Sequence, residues 1–137
     1  KIKIMPKVVF FSFKEEDRGV VLTIKGRATN PLYKALNFRV KDLLKRWKTE
    51  DEATIKQAIS KAITGTSRTI VFVGSKTHKS YWVPHEVKAT LNRSKPVYAM
   101  YLSGESGAKI PKCLNDNGIH VYQWSEKKLQ ELATRES

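Results

Sequence analysis

Hydrophobic positions along the chain follow two rhythms. In the first they are continuous: Val8-Val9-Phe10-Phe11-Ser12-Phe13, Thr69-Ile70-Val71-Phe72-Val73-Gly74, Pro96-Val97-Tyr98-Ala99-Met100-Tyr101-Leu102 and Ile119-His120-Val121-Tyr122. Short runs rich in β-branched and aromatic residues predict strands buried on both faces. In the second rhythm Ile55, Ala58, Ile59, Ala62 and Ile63 recur at i, i+3, i+4, i+7 and i+8, the stripe of an amphipathic helix. Thr49-Glu50-Asp51-Glu52 reads as its capping box, with Thr49 as the cap and Glu52 reaching back, and Gly65 ends it. Another helix is predicted around Pro84, which a first turn tolerates, with Val83, Val87 and Leu91 on one face. Ser125 is predicted to cap a last helix whose Leu129, Leu132 and Ala133 face inward.

Between these elements the pattern is weaker. From Lys14 to about Leu36, the positions of Leu22, Ile24 and Ala28 suggest a helix, Gly19 and Gly26 weaken it, and Asn30-Pro31 breaks it. Asn37 to Lys48 fits a short strand or another helix. Ser75 to Tyr81 and Ser103 to Gly118 read as loops. Alternating strands and helices predict an α/β fold: a flavodoxin-like, doubly wound, mainly parallel sheet in a three-layer α/β/α arrangement. Such sheets bind ligands beyond the carboxyl ends of their strands. Three places are selected: Ser12-Phe13 and the residues just after them, Gly74 to Trp82, and Ser103 onward.

Composition narrows the possibilities. The 137 residues suit one domain, 1–137, with a core from about 7 to 135. Twenty-six Lys+Arg against 13 Asp+Glu give a net charge of +13, which raises the question of nucleic acid. The basic residues are dispersed, though, and the densest stretch, Arg39 to Lys48, is short. A dispersed charge argues against a nucleic-acid surface and also fits plain solubility. The single cysteine, Cys113, forms no internal disulfide, and no Cys/His set has zinc spacing, so no metal is expected. No apolar run nears the ~20 residues of a membrane helix, and the start, Lys1-Ile2-Lys3-Ile4-Met5-Pro6, has no h-region. A cytoplasmic protein without a membrane partner is expected. Walker, G-x-G-x-x-G and G-x-S-x-G motifs are absent. Ser12 and Gly74 stand where a phosphate-accepting receiver domain would need a carboxylate.

The segment Ser80-Tyr81-Trp82-Val83-Pro84-His85-Glu86-Val87 holds the most chemistry. Trp82 and Glu86, four apart, share a helix face. Glu86 falls near a helix N-terminus, which favours an ionised carboxylate by ~0.3–1 kcal/mol. An aromatic ring and an acid at a sheet's carboxyl edge suit a nucleotide, by stacking and by hydrogen bonds to ribose hydroxyls. The plainer alternative is that Glu86 complements the helix dipole and Trp82 packs the loop.

These residues also carry a family resemblance. Phe10-Phe11-Ser12-Phe13-Lys14-Glu15-Glu16-Asp17 resembles the opening of TIR domains, and Trp82-Val83-Pro84-His85-Glu86 is similar to the Trp-x-x-x-Glu segment of enzymatic TIR domains. Asn117-Gly118-Ile119 and Trp124-Ser125 resemble the last strand of that fold and its exit. The run from Ala62 to Ser75 is similar to the prokaryotic TIR-like branch, which includes an archaeal TIR-like protein and the sensor of Thoeris antiphage systems. The resemblance runs from about Lys7 to Ser125. It implies cleavage of the nicotinamide–ribose bond of NAD, giving ADP-ribose or a cyclic ADP-ribose signal, in antiphage defence or stress signalling. NAD would be a substrate, with no separate cofactor.

On this resemblance Glu86 takes the catalytic position, Trp82 is the tryptophan of the segment, and Phe11, Ser12 and Phe13 line the nicotinamide end. Ser75 joins the substrate site, Lys14, Arg18 and Lys76 are candidates for the pyrophosphate, and His85 is structural or solvent-exposed. Self-association through TIR-type contacts and a separate effector protein, on another chain or beyond this sequence, are further implications. The basic-acidic-Pro-Gly loop after the second strand of signalling TIR domains is not recognisable here, and Arg18 to Asn37 matches no general TIR motif. A non-catalytic TIR-like interaction module is the alternative, since a fold does not fix a function. A basic nucleic-acid-binding domain is the third reading, and no RRM, KH or helix-turn-helix signature supports it.

Overall fold

A computed structural model of the chain describes residues 7–42 and 51–136. Among these residues five strands, β1 (Val8–Ser12), β2 (Arg39–Lys41), β3 (Arg68–Val73), β4 (Val97–Tyr101) and β5 (Val121–Tyr122), form one sheet in the order β2-β1-β3-β4-β5. Every neighbouring pair is parallel. The helices are α1 (Arg18–Thr29), α2 (Glu52–Thr64), α3 (Trp82–Asn92), α4 (Lys112–Asp116) and α5 (Glu126–Thr134). The expected doubly wound α/β/α architecture is present, and the chain reverses its direction of winding between β1 and β3. That reversal opens a crevice at the carboxyl ends of those two strands. No helix among the described residues is long and apolar enough to cross a membrane.

Alternation along the central strands divides the core. Val9, Phe11, Ile70, Phe72 and Met100 meet Val21, Ile24 and Ala28 of α1 and Leu129, Leu132 and Ala133 of α5 on one face. On the other face Phe10 meets Ile55, Ile59 and Ile63 of α2, and Val71, Val73 and Ala99 meet Val83 and Val87 of α3. Both central strands are buried on both faces, which explains their unbroken apolar sequence.

Several expectations change in detail. Helix α1 forms despite Gly19 and Gly26, because its buried stripe is Val21, Ile24 and Ala28, while Leu22 is exposed. Packing of that stripe outweighs the propensity cost of two glycines. Asn37 to Lys48 contains the strand β2 in its described part. Thr49 and the rest of that basic stretch, from residue 43 on, lie outside the described residues. The cap of α2 is Asp51, whose side chain accepts from the Thr54 amide at 3.4 Å and from its hydroxyl at 2.6 Å. Glu52 is consequently the first residue of the helix and not the far end of a capping box. Leu91 is half-exposed. The Ser75–Tyr81 loop includes a 3-10 turn at Thr77–Lys79, and the Ser103–Gly118 loop includes α4.

The expected cap of α5 is present: Ser125 Oγ accepts from the Lys128 amide at 3.1 Å. Arg68 is almost fully buried beside the far end of α5 and donates to the carbonyls of Leu132 at 3.0 Å and Arg135 at 2.7 Å. A cation thereby satisfies the orphan acceptors of a helix C-terminus.

Candidate active site

Ser12 is the last residue of β1. Its register partner on β3 is Val71, which places both on the α3 side of the sheet. Glu86 is the fifth residue of α3 and is 7% exposed. Its carboxyl lies at the carboxyl end of β1, where Ser12 Oγ donates to Glu86 Oε1 at 2.5 Å. The sequence expectation of an ionised Glu86 is corrected here. Burial pushes its pKa up to about 8, Ser12 pulls in the opposite direction, and the negative charge of Asp42 adds to the rise. Loss of hydration outweighs the small gain from a helix N-terminus, and Glu86 already sits beyond the first turn.

A second set of hydroxyls fixes the backbone under Glu86. Thr90 Oγ1 donates to the Glu86 carbonyl at 2.8 Å. Thr69 Oγ1 of β3 lies 2.6 Å from Thr90 Oγ1. Thr90 has one proton and spends it on Glu86, so Thr69 is the donor of that pair. Both threonines are buried. Two threonines inside otherwise apolar segments are the sequence signal for this brace.

Trp82 is partly buried, and its ring packs on the Phe10, Ile55, Ile59 and Ile63 cluster. The ring also belongs to an aromatic group, edge-on to Tyr81 at 4.9 Å between centroids and tilted to His85 at 5.0 Å. Tyr81 is exposed, and its hydroxyl donates to Glu52 at 2.8 Å. Burial, together with the charge of Lys56, lowers the pKa of His85. Trp82 thus packs against α2 as well as against Tyr81 of the preceding loop, and the tryptophan and the acid stand one turn apart on α3.

The remaining expected site residues are scattered. Phe11 points to the opposite face of the sheet, where it meets Phe72 edge-on at 4.7 Å and Phe38 at 6.1 Å. Phe13 packs partly buried against that same cluster. Of the three aromatic-segment residues, only Ser12 reaches Glu86, because successive strand residues point to opposite faces. Lys14 is paired with Glu16 at 2.9 Å, and Arg18 lies 3.9 Å from Glu15. Ser75 and Lys76 are exposed just beyond β3.

Two features of the crevice are additional. A Cβ on Gly74 would lie 2.5 Å from Asp17 Oδ2, so the carboxyl end of β3 must be glycine for Asp17 to occupy its place. Burial, then the charges of Glu105 and Glu16, raise the pKa of Asp17. Asp42, just past β2, has a buried carboxylate paired with Lys25 at 3.0 Å. A separate cavity of 360 Å³, lined by Val20, Thr23, Ile24, Arg27, Ser103 and Trp124, opens on the α1 face away from Glu86. No group of three or more His, Cys, Asp and Glu among the described residues is placed to hold a metal ion.

The geometry offers a sheltered carboxyl with a hydroxyl donor, Ser12, at the carboxyl end of β1. As an anion it can stabilise a cationic centre, and as a neutral acid it can donate a hydrogen bond. A family profile described as Thoeris protein ThsB, TIR-like domain, matches residues 10–106. The TIR domain of the Toll-related receptor TRR-2 from the lower metazoan Hydra magnipapillata is similar in structure. The TM-score is 0.56 and the identity 17%, over 93% of this chain and 91% of that one. A chain of the RPS4 and RRS1 TIR domain heterodimer is similar with a TM-score of 0.53 and 16% identity, over 92% of this chain and 91% of that one. At these identities the likeness concerns the fold. No curated protein matches the sequence significantly.

Proposed function

The chain belongs to the family of the TIR-like domain of Thoeris protein ThsB, and from that premise we propose that it cleaves the nicotinamide–ribose bond of NAD. The observation that carries the proposal is the buried Glu86 carboxyl, held by Ser12 at the carboxyl edge of the sheet. NAD is the substrate, and the reaction needs no separate cofactor. The leaving nicotinamide is cationic in the substrate and departs with the bonding pair as a neutral molecule, so no strong acid is needed to expel it. Ribose C1′ becomes oxocarbenium-like, as in glycoside hydrolysis. The Glu86 carboxylate stabilises that charge or grips the ribose hydroxyls. Attack by water gives ADP-ribose, and internal attack gives a cyclic ADP-ribose signal.

Trp82 supplies an aromatic wall one turn from Glu86, and Ser12 orients the carboxyl. Lys14, Ser75, Arg18 and Lys76 lie beyond the strand ends, where a pyrophosphate would emerge. Phe11 and Phe13 support β1 from the far face and do not touch the substrate. The product signal would serve antiphage defence in the cytoplasm through a separate effector. Pairing with a second TIR domain is part of the proposal, since the RPS4 and RRS1 TIR domains, whose fold this chain shares, form a heterodimer.

The test is nicotinamide release from NAD, with mass analysis of the nucleotide product and Glu86→Gln beside the parent protein. Release by the parent and its loss in the variant is the expected result. Equal release from both would overturn the assignment of Glu86.

A further inference from the structure

We infer that Glu86 waits in the free protein as a neutral acid and becomes a carboxylate only when a cationic ring is bound beside it. Uptake of the oxidised dinucleotide therefore expels one proton, and the site selects against the reduced dinucleotide, whose ring is uncharged. This rests on the NAD reading of the same site and adds to it a charge-based selection of the ligand.

The surroundings of the carboxyl carry the inference. From β1 it receives the hydroxyl of Ser12. On that face of the sheet β3 buries Val71 and Val73, and α2 buries Ile55, Ile59 and Ile63. On α3 itself the neighbours are Val83, Val87 and Thr90, whose hydroxyl goes to the Glu86 backbone. His85 turns to Tyr81 and Trp82. The charged group that acts on Glu86 among the described residues is Asp42, which is negative and already paired with Lys25. A buried carboxylate needs a counter-charge, and the described walls of this site do not provide one. The positive nicotinamide ring of the substrate does.

The proton balance closes over a turnover. Binding converts the Glu86 acid to its carboxylate and releases one proton to solvent. The glycosidic bond then breaks, and its electron pair leaves with neutral nicotinamide. Water attacks C1′, and the proton it sheds returns to Glu86. The net reaction is NAD⁺ plus water to ADP-ribose, nicotinamide and one proton.

The experiment uses carbocyclic NAD⁺, in which a methylene replaces the ribose ring oxygen, so that the ring stays charged and the oxocarbenium route is closed. Calorimetric titration at pH 7 in two buffers of different ionisation enthalpy counts the protons released. With burial holding the Glu86 pKa at about 8, release of most of one proton per ligand is expected. NADH is expected to release none and to bind more weakly, and Glu86→Gln is expected to release none with either ligand. In the parent protein alone, Kd for carbocyclic NAD⁺ falls about tenfold per pH unit between pH 6 and 7. Binding without proton release, or equal affinity for NADH, overturns the inference and leaves the NAD reading intact. Absence of binding overturns the inference as well, and the nicotinamide-release assay then decides the NAD reading separately.

Discussion

Ser12 Oγ and Glu86 Oε1, 74 positions apart in sequence, meet at 2.5 Å, and this hydrogen bond opposes the effect of burial on the carboxyl. Removing the hydroxyl leaves burial unopposed. In Ser12→Ala the midpoint of the Glu86 carboxyl titration is expected to move above the parent value of about 8. Carbon-detected NMR of labelled glutamate side chains reads this directly. An unchanged or lower midpoint would show that Ser12 does not govern the acid.

The raised pKa of Glu86 also has a stability consequence. The unfolded chain loses this proton near the ordinary glutamate value of ~4.3, whereas the folded chain holds it to about 8. Between these values the native state binds more protons than the unfolded state, so this group lowers stability as pH rises and the loss levels off above about 8. Glu86→Gln removes the dependence. Its stability gain over the parent should be near zero at pH 4 and on the order of 3 kcal/mol at pH 7. Denaturant unfolding at pH 4, 5.5, 7 and 8 measures it, and a pH-independent difference would contradict the account.

Gly74 and Asp17 are coupled by space. A methyl group on Gly74 would meet the Asp17 carboxyl oxygens at 2.5 and 2.9 Å. Gly74→Ala is expected to cost roughly 1–3 kcal/mol of stability. Adding Asp17→Ala should recover most of that loss, giving a coupling energy of at least ~0.5 kcal/mol in a double-mutant cycle. Additive losses would mean that the glycine serves another purpose.

Helix α3 ends in a Schellman motif. The Ser94 amide donates to Leu91 O at 2.9 Å and the Lys95 amide to Thr90 O at 3.2 Å, with Ser94 at a φ of 58°. Glycine normally takes this left-handed position. Ser94→Gly is expected to stabilise the fold by ~0.5–1 kcal/mol, read as an upward shift in thermal midpoint. A drop would imply that the serine hydroxyl has a partner that matters more than the backbone strain.

Local signals of different strength make some elements easier to read from sequence than others. β1, β3 and β4 are legible because burial on two faces leaves an apolar run, and α2 and α5 because burial on one face leaves a stripe. The same double burial hides which side each residue of β1 takes, so the sequence groups Phe11 and Phe13 with Ser12 although period two sends them to the other face. Helix α1 is obscured by Gly19 and Gly26, whose cost is overcome by contacts distant in sequence, and α4 is too short to show a period. The Trp82–Glu86 pairing comes directly from helix geometry. The protonation state of Glu86 does not, because it depends on burial and on Ser12 and Asp42, which come from other parts of the chain.

The two margins of the sheet have a consequence for assembly. β2 spans three residues with Arg39 and Lys41 exposed, and β5 spans two. Strands so short offer a stranger few hydrogen bonds to complete, and exposed cations at a margin repel another copy of the same margin. Growth of the sheet from one molecule into the next is therefore disfavoured. Any higher-order arrangement of this domain has to be built by docking its helices and loops, which leaves the crevice at the strand ends free to be completed, or closed, by a neighbour.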